Sequence, residues 1–400
     1  MTDSIKISLD LSKMSPEVRK CVPAHICEDI DTGTGVVEDY NRPSFQKSAL
    51  SGTKMKWNVR CDRDKDSRRL DDLPIRIDAE LNIPNAVVGQ NIEHGTSVFA
   101  AGVAALELLR IWMAQEGLPR EQLDLLSVED VTLNGVTITY LLPFSSDQEA
   151  QRMLDAIAVT WKIVNPKAEI WDSTNKTVTL PARDYLVKAY IKSLFDRCAF
   201  KAGAPVTGLK DKAAIIGRIE TILPRRFLES ENLLRLEQWR MAYEEGLYAK
   251  LFNRTVRKSL LLHKTKLRHK EPREEVIARL TETEAKLLRW YLDGNSVEEF
   301  PSVANSRSSQ KRRLALRRDL LKATDIDIDI PWKDHVRLRC FELYDKLVYP
   351  GDYDPSSEHA PWCFCRSNWA DLLAELRRVY EETVARVEAA AAKKNADKDK

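Results

Sequence analysis

The chain has 400 residues, 63 of them basic and 61 acidic, for a formal net charge of +2. Its 43% hydrophobic and 31% charged residues and mean hydropathy of −0.40 suit a chain that buries a core in water, with length for two or three domains. No run approaches the roughly 20 apolar residues of a membrane helix, and the opening MTDSIKISLD lacks the basic-then-apolar build of a signal peptide, so a cytoplasmic protein with no membrane partner is expected.

Alternating apolar residues predict strands in the first half: Ile5, Ile7, Leu9 and Leu11, then Met55, Trp57 and Val59, then Ile75, Ile77, Ala79 and Leu81. Two short strands, 131–133 and 136–140, are predicted as a hairpin turning at Asn134-Gly135. Helical spacing of Val98, Ala101, Ala105, Leu108, Leu109 and Trp112 predicts a helix over 97–116, and 147–163 and 183–200 read the same way. Strands alternating with three helices imply an α+β fold over residues 1–204, with an antiparallel sheet and packed helices.

From about 205 the pattern reads as almost wholly helical and more basic, which places a second region at 205–330 and a third at 331–400. Residues 254–270 carry seven Lys/Arg and no acid, including Arg257, Lys264, Lys266 and Arg268. Residues 305–322 carry seven more against Asp319 alone. Either run alone reads as a solvated helix face, whereas two in one region point to phosphate neutralisation. Thr281 with Glu284 forms a capping box for a helix that Asp293-Gly294-Asn295 stops, 296–300 reads as a short second helix, and a long basic helix follows Pro301. That is helix-turn-helix order over 281–323, with Arg307, Gln310, Lys311, Arg312, Arg313 and Arg317 offered to DNA. The last segment holds Tyr344, Tyr349, Tyr353, Trp362, Phe364 and Trp369, a final helix, and a low-complexity tail read as fraying.

Seven scattered cysteines read as thiols of a reducing compartment, and Cys363-Phe364-Cys365 has the wrong spacing for a zinc knuckle. Walker, GxGxxG, HExxH and GxSxG motifs are missing, so no nucleotide cofactor is expected. Gln90, Glu93 and His94, in the turn after the third strand, are candidate oxygen and imidazole ligands; the alternative is an ordinary loop capping the next helix at Thr96 or Ser97. Tyr190, on the Leu186, Val187 and Leu194 stripe of the third predicted helix, reads either as a buried aromatic or as a nucleophile activated by Lys188 and Lys192.

The order of segments from about 74 to 330 resembles the filamentous-phage replication initiators, the gene II and gene X (phage CRI) family of rolling-circle nicking and joining endonucleases. The family's Gly-His-Asn turn and Gly-Thr helix entry look like Gly89-Gln90-Asn91 and Gly95-Thr96. Its Ser-Arg-Ile-Asp strand is similar to Ser127-Val128-Glu129-Asp130, and its Thr-Val-Thr strand and Tyr-x-Lys match 177–179 and Tyr190-Ile191-Lys192. Its Leu-Val-Arg-Phe-Glu element resembles 233–237, with Arg235 and Glu237.

The resemblance implies an HUH-endonuclease-like sheet whose Tyr190 attacks a scissile phosphate at a phage or plasmid origin, with Lys192 stabilising the phosphate. It implies Mg²⁺ or Mn²⁺ held by His94, Gln90, Asp130 and Glu93. It also implies partners: origin duplex, displaced single strand, and a helicase and polymerase of a bacterial host. Gln90 in place of the family's His, and Val128 in place of its Arg, are departures that bear on the ligand set. A non-catalytic DNA-binding replication regulator or repressor using 281–323, and an RNA- or partner-binding protein with basic surface runs, are the competing readings.

Overall fold

A computed structural model of the chain describes residues 2–24, 26–30, 37–41, 44–62, 73–164, 169–171, 177–192, 198–240, 246–257, 271–304, 308–324, 326–328, 332, 346–350 and 352–398. Among the described residues nine strands form one sheet: β1 (Thr2–Asp10), β4 (Ser44–Lys47), β5 (Lys54–Asp62), β6 (Leu73–Asn82), β8 (Val131–Pro143), β9 (Glu169–Trp171), β10 (Thr177–Pro181), β11 (Leu186–Ile191) and β12 (Ile216–Pro224). Their order is β4-β5-β6-β1-β8-β12-β11-β10-β9, with every neighbour antiparallel. Two further strands, β2 (Ile26–Ile30) and β3 (Val37–Asn41), pair with each other, and β7 (His94–Gly95) pairs in parallel with β13 (Phe364–Cys365).

The expected alternation holds in β1, β5 and β6, where Ile5, Ile7, Leu9, Met55, Trp57, Val59, Ile77, Ala79 and Leu81 are buried. Their face of the sheet packs on the helices Val98–Gln115 and Asp147–Val164 in one core, as the 3.6-residue spacing predicted. Helix Val98–Gln115 is long and apolar enough to cross a membrane, yet it is mostly buried inside the protein, and Gly102 brings its backbone against Leu236.

Three expectations are corrected. The Asn134-Gly135 pair makes no hairpin: 131–143 is one strand, and the register on β1 slips there, from Lys6 opposite Gly135 to Ile7 opposite Leu133. The buried residues change phase across the slip, from Val131 and Leu133 to Val136, Ile138 and Tyr140, so a bulge keeps both sets facing the core without reversing the chain. Residues 186–191 form a strand, not part of a helix, because Val187 and Ala189 alternate into the core while Lys188 and Tyr190 face the other way. The stretch after 205 is not wholly helical, since β12 lies between β8 and β11 and is held along its length by both.

Helices occupy the stretch expected to be helical after Thr281. Thr281 caps helix Glu282–Leu292 in a capping box with Glu284, a short turn of helix covers Val297–Glu299, and helices Pro301–Ala304 and Ser309–Thr324 follow. They share a core of their own, built from Ile277, Leu287, Leu288, Tyr291, Phe300, Val303, Leu316, Leu320 and Ile326. The C-terminal segment belongs to the sheet's body: helix Trp369–Lys398 buries Leu373, Leu376, Tyr380 and Val384 in the main core, and the tail read as fraying continues this helix.

Candidate functional site

The face of the sheet away from the two long helices is polar. Register places Ser4 between Asn82 and Thr137, Thr139 opposite Glu220, Lys188 opposite Glu220 and Tyr190 opposite Arg218, so these side chains share that face. Of these, Ser4, Asn82, Thr137, Lys188, Tyr190 and Glu220 line a groove of about 930 Å³, with Asp3, Asn91, Lys192 and Cys198 also on its walls.

One end of the groove is built by the turn after β6. Asn82 caps the short helix Ile83–Val88, accepting from the Asn85 amide at 3.0 Å, and Gly89 ends it at φ +81°. A Cβ on Gly89 would stand 2.3 Å from the Ala199 carbonyl oxygen, so chain reversal and close approach both require glycine there. Residues 90–94 are buried. Gln90 staples the turn, its side chain accepting from the amides of Ile92 (2.5 Å) and Glu93 (3.2 Å) and donating to the carbonyls of Glu93 (3.0 Å) and Trp362 (2.6 Å). The Glu93 carboxylate accepts from the Tyr353 hydroxyl and meets His359 Nδ1 at 2.5 Å, which ties the C-terminal segment over the turn. Gly95 completes this seam, since a Cβ there would meet the Tyr353 carbonyl oxygen at 2.6 Å.

Asn91 is the hub. Its amide donates to Asp3 Oδ1 (2.7 Å), its side-chain oxygen accepts from the Lys192 ammonium, and its carbonyl, with that of Ile92, accepts from the Arg218 guanidinium. Tyr190, half-buried in the groove, donates to Glu220 Oε1 at 2.5 Å, and the Arg218 guanidinium carbon lies 6.0 Å from its ring centre. Burial, and then the Glu220 carboxylate, hold the Tyr190 phenol well above its ordinary pKa. Burial, and then Asp3, raise the Glu220 carboxyl. Burial, and then the Arg218 charge, bring the Lys192 ammonium down to about 8.

The four side chains expected to bind metal do not converge. Gln90 and Glu93 spend their polar atoms on the turn and the C-terminal segment. His94 is fully buried; neither ring nitrogen has a hydrogen-bond partner among the described residues, and burial followed by the Arg218 charge keeps the ring neutral. Asp130 lies at the far end of β8, held by Lys13 (2.9 Å) and by Ser127 in a capping box. Arg218, the register partner of Tyr190, pairs with Leu141, 11 positions along from Asp130, so roughly 36 Å of strand at about 3.3 Å per residue separates Asp130 from the Tyr190 row. Among the described residues no three His, Cys, Asp or Glu side chains come together as a metal site. The expected ligand set does not fit the ion.

Arg235 and Glu237 are also at that far end: Arg235 bridges Thr132 and reaches the Glu129 carbonyl, and Glu237 pairs with Arg240. The same Arg-apolar-Glu order recurs at Arg218-Ile219-Glu220, and this copy lies beside Tyr190. Sequence reading missed Arg218, Glu220 and Asp3; the signal was the β-forming run Ile216–Leu223, hidden by the helical reading of the region.

Of the residues offered to DNA, Arg307, Lys264, Lys266 and Arg268 lie outside the described residues. Gln310, Lys311 and Arg312 are exposed on helix Ser309–Thr324, and Arg257 is exposed at the end of 253–257. Arg313 pairs with Glu298 at 2.8 Å. Arg317 is a correction: it is buried next to Leu316 and grips Asp327 with two hydrogen bonds, at 2.7 and 2.5 Å, so it faces the core of its unit rather than a groove of DNA. Compared with protein-family models, curated proteins and solved structures, the chain gives no match in any of the three.

Proposed function

We propose that this chain is a phage- or plasmid-type replication initiation protein that nicks and rejoins DNA at an origin through Tyr190, as its resemblance to the filamentous-phage initiators implies. The observation that carries the reading is the Tyr190 hydroxyl, bonded to a carboxylate in an open groove with Lys188 and Lys192 on the same face. The Tyr190 oxygen attacks the scissile phosphorus, the bond from phosphorus to the 3′ oxygen breaks, and a 5′-phosphotyrosine and a free 3′-OH result. The Lys192 ammonium faces the charge that builds on the non-bridging oxygens. Attack by a 3′-OH on the phosphotyrosine reseals the strand, so the bond energy is conserved without a nucleotide cofactor. Mg²⁺ or Mn²⁺ belongs to the family's chemistry, but the residues expected to hold it are dispersed here, and the transfer is derived from the protein's own groups.

The HUH-like assignment rests on the antiparallel sheet and Tyr190, since the six histidines stand singly in sequence with no His-x-His pair. Helix Ser309–Thr324 takes the duplex-binding role in this reading, with Gln310, Lys311 and Arg312 exposed in its first turn. The host cytoplasm, with its helicase and polymerase, is the setting the reading entails.

The test is conversion of supercoiled plasmid bearing the cognate origin to open circle. Tyr190→Phe should abolish it and leave DNA binding intact. Undiminished nicking by that variant would move the nucleophile elsewhere. Binding without a covalent adduct in the wild type would favour the non-catalytic regulator.

A further inference from the structure

We propose that Glu220 is the proton acceptor for the Tyr190 hydroxyl, the general base of strand cleavage and, protonated, the general acid of rejoining. The proposal rests on the nicking reading and assigns the proton that reading leaves unplaced.

A phenol is a poor nucleophile until its proton leaves, and burial of Tyr190 makes spontaneous ionisation harder still. The hydroxyl is already committed to one acceptor: Glu220 Oε1 at 2.5 Å, from the neighbouring strand and on the groove side of the sheet. That is the distance and partner a general base needs. As the Tyr190 oxygen bonds to phosphorus its proton passes to Glu220, while the leaving 3′ oxygen takes one from the Lys192 ammonium on the same wall. Cleavage then ends with a neutral Glu220 and a neutral Lys192. Rejoining reverses both transfers: Lys192 takes the proton of the attacking 3′-OH and Glu220 returns its own to the departing phenolate.

The surroundings suit this role. Tyr190 and Lys188 face Glu220 from β11 and Lys192 from just beyond its end, Arg218 from Glu220's own strand and Asp3 from β1. Burial and the Asp3 carboxylate outweigh the cations and raise the Glu220 carboxyl above its ordinary range, which makes it a stronger base than a solvated carboxylate.

Two readouts test it, one of them independent of DNA. Adduct formation on a single-stranded oligonucleotide of the origin is followed from pH 5 to 9 for wild type, Glu220→Gln and Glu220→Asp. Acetylation of Tyr190 by N-acetylimidazole is followed by peptide mass spectrometry on the same three proteins without DNA. Glu220→Gln should slow the adduct roughly 10²- to 10⁴-fold and erase the acid limb of the profile. Glu220→Asp, one methylene shorter, should keep the limb at a reduced rate, and it carries the test if the Gln variant fails to fold by thermal melt. Acetylation of Tyr190 should slow with the adduct. Wild-type rates and an unshifted acid limb in Glu220→Gln would overturn the proposal. A wild type that forms no adduct while its Tyr190 acetylation still depends on Glu220 would sink the nicking reading and support the proton transfer.

Discussion

The Lys192 ammonium at the end of β11 is hydrogen-bonded to the side-chain oxygen of Asn91, in the turn after β6. The Asn91 amide is itself oriented by donation to Asp3 at 2.7 Å, so β1, the turn and β11 together set where the ammonium stands. Asn91→Leu keeps the volume and removes both bonds. Adduct formation should fall roughly 10- to 100-fold as Lys192 loses its position. The fold should lose about 1–3 kcal/mol, because the Lys192 ammonium loses its Asn91 acceptor and Asp3 keeps only the bond from Asn82. Oligonucleotide adduct rates and urea midpoints measure both, and an unchanged adduct rate would mean that Asn91 serves the fold alone.

Lys192 also makes a pH prediction with two opposite signs. Its ammonium loses its proton near pH 8 in the folded protein and near 10.5 when unfolded. Between those values the unfolded chain binds more protons, so stability should rise with pH across about 8 to 10.5, by roughly 3 kcal/mol at most. Strand cleavage, which needs the charged form, should fall as pH rises through about 8. Lys192→Met should flatten the stability rise, as chemical denaturation at pH 7.5, 9 and 10 would reveal.

His94 works at the acid end. Its buried ring resists protonation when folded, while the unfolded ring takes up a proton near pH 6.5. Stability should therefore drop as pH falls below about 6.5, at about 1.4 kcal/mol per pH unit from this one group. His94→Leu should remove that slope relative to wild type. Equal slopes in the two proteins would show that the ring has a partner able to hold its proton.

In the unit built on helix Ser309–Thr324, two kinds of basic residue should separate cleanly. Arg317→Ala takes the guanidinium away from the buried Asp327 carboxylate and should cost about 3–5 kcal/mol, with any DNA binding lost through unfolding. Lys311→Ala with Arg312→Ala should leave the melting temperature unchanged. If both residues contact phosphates, that double variant should reduce the slope of log affinity against log salt by about 2.

Much of the sheet was legible because its cause is local. Ile5, Ile7 and Leu9 alternate whatever lies beside them, and Thr281 with Glu284 closes a capping box within one turn. The helix Val98–Gln115 declares itself by its spacing and by Ser97, whose hydroxyl accepts from the Ala100 amide at 3.1 Å. Residues 186–191 are too short for periodicity to decide, since Val187 and Tyr190 fit a helix stripe as well as Val187 and Ala189 fit a strand. Pairing with β10 and β12 decides it.

The candidate site divides along the same line. Tyr190, Lys192 and Asn91 were legible from a short motif and a turn in the sequence. By itself the sequence also determined that the basic residues cluster, with +13 on 254–270 and 305–322 against −11 elsewhere. What only the tertiary structure decided is which carboxylates and cations join the tyrosine. Glu220, Arg218 and Asp3 reach Tyr190 and Asn91 through strand register and a folded-back turn, across separations of 30 to 127 positions. Asp130, which its motif had placed in the site, is carried to the other end of β8. Antiparallel pairing sets such neighbours by the register of whole strands, a property of the assembled sheet that no window of sequence contains.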